Sequence, residues 1–141
     1  MFLHALHQQI WLVALALTCG FAFWRGGLPE RLGASACLVG WLVSVVVYNY
    51  RNWVDPQWAV LVVDLALLLI LVWLTLAANR IWLLFATAFQ LLGVVIHIAM
   101  MVDRNVSGLP YVRGLVIWSY LVLVALAVGT WQVSRKPSGA D

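Results

Sequence analysis

This sequence carries very little charge for its length. Only 9% of its 141 residues are Asp, Glu, Lys or Arg, while 65% are hydrophobic and the mean hydropathy is +1.01. A soluble domain of this size could not hide so much apolar surface behind so few charges. Lipid is therefore the solvent for much of the chain.

Other absences narrow the reading further. The two cysteines, Cys19 and Cys37, each sit in an apolar run with no C-x-x-C and no histidines at zinc-finger spacing, so they read as small packing residues. There is no H-E-x-x-H, no G-x-S-x-G, no P-loop and no glycine-rich dinucleotide fingerprint, and the connections are too short to hold a soluble catalytic domain. The chain thus leans away from being an enzyme. Broken helices and inverted-repeat halves, which alternating-access transporters use for a midplane site, are missing too. The first ten residues hold no Lys or Arg, and "ALTCG" around Cys19 is a poor lipoprotein cleavage box, so the first apolar segment is expected to be retained. A net charge of +3 and a pI near 9.2 could suggest nucleic acid, but the eight Lys and Arg are scattered singly among connections. Membrane lipids with anionic headgroups fit that scatter better.

What is present is a series of long apolar runs. About 20 residues at 1.5 Å each cross about 30 Å of hydrocarbon. Five such segments are expected, at about residues 8–24, 32–50, 56–78, 80–102 and 111–133, followed by a polar tail over 134–141. The fold class is thus all-α: a polytopic five-helix transmembrane bundle forming a single domain. "RGGLPER" ends the first helix and turns the chain, Asp55 and Pro56 suit the N-cap and first position of the third, and Asn79–Arg80 makes a tight antiparallel hairpin of the third and fourth. One side then carries Arg25, Arg31, Arg80, Arg135 and Lys136 against Arg51, Arg104 and Arg113 on the other, which predicts an outside N-terminus and a cytoplasmic C-terminus. Of nine tryptophans, Trp24, Trp53, Trp58, Trp82 and Trp131 fall near span ends, where indoles favour the headgroup level. The other four lie deeper, where packing or binding must explain them.

A few polar residues lie inside these runs. On the fourth segment Ala86, Gln90, Gly93 and His97 share one helical face, and a small-residue stripe of this kind turns toward other helices. Asp64 on the third segment is expected to be the only acidic residue buried in the helices, with Thr75 on the same face. A lone carboxylate there costs about 2.5–3.5 kcal/mol on insertion scales, so it needs a partner or a proton. Counting from the outer ends, Asp64 and His97 lie about 10 Å and 8 Å deep, within reach across an antiparallel pair. Ser119 and Tyr120 enter to a similar depth with Arg113 above them, giving a candidate polar cluster of Asp64, His97, Gln90, Ser119, Tyr120 and Arg113.

Such a cluster has two readings. Asp64 and His97 can lock helix packing, the carboxylate fixing an imidazole tautomer. Alternatively they can hold a quinone or another lipophilic ligand, or serve an oligomeric proton or metal-ion pathway. His4 and His7, at i and i+3 ahead of the first span, are the metal-ligand candidates; haem is disfavoured because His97 is the only histidine inside the spans. Small-residue seams run along Ala36, Gly40 and Ser44 on the second segment and Ala125 and Gly129 on the fifth, favouring close contacts within the bundle or with another subunit. Together these features lead to the expectation of a non-catalytic bacterial inner-membrane protein, an accessory or scaffold subunit packed with other membrane subunits or with copies of itself. No cofactor is called for by the residues alone.

Overall fold

The computed structural model describes residues 2–48, 57–103 and 108–136. It is all-helical: α1 (Phe2–Arg25), α2 (Leu28–Val47), α3 (Trp58–Ala77), α4 (Ile81–Val102) and α5 (Gly108–Ser134), with no strand among the described residues. Four segments are long and apolar enough to cross a membrane: Leu28–Val47, Trp58–Ala77, Ile81–Val102 and Pro110–Ser134. In α1 the apolar stretch is shorter, Gln9–Arg25.

The helix boundaries differ from expectation where local chemistry is strongest. α2 begins at Leu28, four residues before the expected start, with a proline in its opening positions and Glu30 in its first turn. Proline presets the helical φ there, and a carboxylate is favourable at the positive end of the helix. The connection from α1 is thereby reduced to Gly26 and Gly27, and Arg31 Nε donates to the Gly26 carbonyl at 3.2 Å, covering an acceptor left open by the end of α1. α3 starts at Trp58 with Gln57 in the N-cap position, and the expected cap, Asp55–Pro56, lies outside the described residues.

Neighbours in sequence are neighbours in space. The packing order α1–α2–α3–α4–α5 closes into a ring through an α1–α5 contact, and α2 also reaches α5. Successive helices alternate in direction, so α1 and α5 run the same way. The centre holds Leu15, Cys19, Ala34, Leu71, Leu83, Ala86 and Leu126, while Val46, Leu76, Val62 and Leu17 stand exposed on the outer faces. Apolar residues both inside and out are what a lipid-solvated bundle requires, and association then rests on packing and interhelical hydrogen bonds.

The tryptophans separate by role. Trp24, Trp58 and Trp131 are exposed at helix ends, and the guanidinium groups of Arg25 and Arg135 stack over Trp24 and Trp131 at 4.5 and 4.0 Å. Trp11 stacks on Trp41 with ring centres 5.4 Å apart and donates its N–H to Ser119 Oγ at 3.1 Å, joining α1, α2 and α5. Trp82 departs from the expected headgroup position, being only 4% exposed. Its ring lies between α2 and α5: a Cβ on Gly129 would overlap the indole, and one on Gly33 would come within 2.9 Å of it. The Gly129 end of the α5 seam therefore admits an indole from α4 rather than a neighbouring backbone. The seam of Ala36, Gly40 and Ser44 is half-buried, and Ala36 and Gly40 line an apolar groove of about 420 Å³ against Val63, Ala66 and Leu67 of α3.

Candidate functional site

Two polar clusters lie toward opposite ends of the bundle. The first joins α3, α4 and α5. Asp64, six residues into α3, receives the Gln90 side-chain amide on Oδ1 at 3.2 Å, and the same amide reaches the Asp64 backbone carbonyl at 3.2 Å. Its other oxygen, Oδ2, lies 3.0 Å from His97 Nε2. His97 Nδ1 in turn lies 2.7 Å from the Tyr111 hydroxyl, with the two rings edge to face at 81°.

Helical spacing explains how α4 supplies two of these groups. Gln90 and His97 are seven residues apart, about two turns, so both project from the face that also carries Ala86 and Gly93. All four are buried, and His97 is 1% exposed. The hydrogen bonds fit either protonation state of the imidazole. In the neutral ring Nε2–H donates to the carboxylate and Nδ1 accepts from Tyr111; in the imidazolium Nδ1–H donates to the tyrosine oxygen. In both states the ring nitrogens have partners within the protein, and each of the two carboxylate oxygens receives one donor. Asp64 alone reaches the surface, its side chain 23% exposed.

The remaining expected members fall elsewhere. Arg113 is exposed and does not join the cluster; Tyr111, buried at 3% exposure, takes the place expected for it on α5. Two residues along a helix are about 200° apart, so the two side chains cannot share a face. Ser119 accepts from Trp11 and donates to the Val116 carbonyl at 2.8 Å, which places it in the α1–α5 contact instead. Tyr120, beside it, is half-buried more than two turns beyond Tyr111. Thr75 donates to the Leu71 carbonyl at 2.7 Å and lies 2.9 Å from Thr87 Oγ1, so the Thr87 hydroxyl supplies the hydrogen between them, a second α3–α4 tie near the hairpin. The side chains of His4 and His7 lie outside those described, and among the described residues no group of three or more His, Cys, Asp or Glu is placed to hold a metal ion.

The second cluster corrects the expectation that Asp64 is the only buried acid. Glu30 is 0% exposed, in the first turn of α2. Trp82 Nε1 donates to its Oε1 at 2.9 Å, and Arg80 Nε stands 3.8 Å from the same oxygen, at ion-pair rather than hydrogen-bond distance. Among the described residues Glu30 Oε2 has no hydrogen-bond partner. The Pro29–Glu30 pair carried the signal for this site: with proline opening α2, the next residue must lie in the first turn. The burial itself depends on Trp82 and Arg80, some fifty residues away in the chain, and has no local mark.

Comparison with known proteins adds no relative: no family model, no curated protein and no solved structure matches the chain.

Proposed function

We propose that the chain is a non-catalytic integral protein of the bacterial inner membrane, an accessory or scaffold subunit that packs against other membrane subunits. The observation that carries this reading is the closure of the Asp64–Gln90–His97–Tyr111 cluster. A site for chemistry keeps a polar group aimed at space for its substrate. Here the side-chain donors and acceptors are aimed at one another across three helices, an arrangement suited to fixing their rotation and depth. The apolar groove along Ala36 and Gly40 offers a partner helix the small-residue surface on which membrane helices pack closely. The preponderance of Arg and Lys at the end holding both Arg80 and Lys136 supports a cytoplasmic C-terminus.

Native mass spectrometry after mild detergent extraction at native abundance tests the proposal. A stoichiometric membrane-protein partner is the expected result, with retention falling in a Gly40→Ile variant that fills the groove. A bare monomer in every mild detergent tried refutes the subunit reading. A reporter fused to the C-terminus that is active only outside the cytoplasm refutes the orientation.

One observation favours a second reading. The exposed edge of Asp64 opens the cluster toward the surface of the bundle, where a quinone-like lipophilic ligand in its hydroxyl (quinol) form could donate a hydrogen bond to the carboxylate that His97 holds. In that case the same spectra contain a small bound mass that disappears in His97→Leu while the protein stays in the membrane at normal abundance.

A further inference from the structure

The second cluster borders a cavity that the subunit reading does not use. Its volume is about 130 Å³, and it lies between the α3–α4 turn, the first turn of α4 and the end of α5. A cleft of that size has room for one small polar group. Arg80 and Lys136 line it with the carboxamide residues Asn79 and Gln132, and no carboxylate does.

We infer that this cavity binds the phosphate of an anionic phospholipid. Charge, position and shape each support that assignment. Arg80 shares its charge with buried Glu30, which does not line the cavity. Lys136 belongs to no ion pair among the described residues, so the pairing of Arg80 with Glu30 leaves about one net positive charge facing the cavity. The first turn of α4 adds the positive end of a 22-residue helix whose N-cap, Arg80, makes no side-chain capping bond. A singly charged phosphodiester is the complement of that set. The amide side chains can donate to its non-bridging oxygens.

The position selects a lipid over a soluble anion. The Asn79–Arg80 turn separates two membrane-crossing helices, and the Arg135–Trp131 and Arg25–Trp24 stacks mark the same end as the headgroup level. Ile81, 70% exposed, and Val133 continue the wall of the cavity toward the hydrocarbon, where the acyl chains of a bound phospholipid would run.

The test is native mass spectrometry of the full chain in detergent with phosphatidylglycerol and phosphatidylcholine supplied in equal amounts. Wild-type protein should retain one phosphatidylglycerol in preference to phosphatidylcholine. Lys136 is exposed at the end of α5, so Lys136→Gln should leave folding intact and lower that retention about fivefold, as expected for one interfacial cation. Lys136→Glu should abolish the preference. The paired change Glu30→Gln with Arg80→Gln removes both members of the ion pair together and should also lower retention, without stranding a buried charge. Equal retention of the two lipids, or unchanged preference in Lys136→Glu, overturns the assignment. Capture of inorganic phosphate with no preference for phosphatidylglycerol overturns the lipid as the source.

Discussion

Replacing His97 by Leu removes both ring nitrogens while keeping an apolar side chain of similar bulk in a site that is 1% exposed. Two contacts are lost, 3.0 Å to Asp64 and 2.7 Å to Tyr111, whereas Asp64 keeps the Gln90 amide. Interhelical hydrogen bonds in membrane proteins average about 0.6 kcal/mol and reach about 1.7. With a carboxylate as one partner the upper half of that range applies, so His97→Leu should cost about 1–3 kcal/mol. Asp64→Leu takes one partner from Gln90, which keeps the backbone carbonyl of residue 64, and one from His97, which keeps Tyr111, and should cost about as much. The double variant removes the pair, and the coupling between the two changes should be about 1–2 kcal/mol, because neither residue can lose its partner twice. Equilibrium unfolding by SDS titration in mixed micelles, followed through the fluorescence of the nine tryptophans, measures all three. Effects that add within about 0.3 kcal/mol would show that the two side chains do not interact in the folded protein, and the case for a packing lock would fail.

Two of the glycines that contact other helices, Gly129 and Gly40, should respond in opposite ways. Gly129→Ala drives a methyl into the Trp82 indole and should destabilise by about 1–3 kcal/mol, whereas Gly40→Ala meets Leu67 and Val63 at 3.7 and 3.9 Å, ordinary contact distances, and should gain up to about 1 kcal/mol of helix propensity. Equal effects in the same unfolding assay would place Trp82 elsewhere. Trp82→Phe keeps a ring but removes the N–H that serves Glu30, at a cost of about 1.5–3 kcal/mol; if Trp82→Phe is as stable as wild type, Glu30 does not depend on that bond. Cys19 and Cys37 are both buried, so maleimide should label neither in the folded protein and both in SDS; rapid labelling of either before denaturation contradicts the packing of α1 against α2.

Much of the architecture could be read locally. An apolar run of about 20 residues has few alternatives to a spanning helix, because hydrocarbon offers no partner to an open backbone. The two residues Asn79 and Arg80 leave α3 and α4 no choice but to pack side by side, and the stripe of Ala86, Gln90, Gly93 and His97 shows which side of α4 turns inward. The proximity of Asp64 and His97 follows from depth alone, since antiparallel neighbours place equal distances from one membrane face at the same level. For α5 this logic fails. Its sequence is apolar nearly all round, so nothing in the periodicity says whether Tyr111 or Arg113 faces the bundle.

The lipid solvent, the number of helices, the hairpin and the inward face of α4 are all legible along the chain, because hydrophobic length and helical period are properties of neighbouring residues. The packing of the helices was needed to see that Tyr111 completes the first cluster, that Trp82 leaves the headgroup level to fill the space between Gly33 and Gly129, and that Glu30 is buried against it. Each depends on how far a helix is rotated about its own axis, and that angle is set by side chains on two other helices at once.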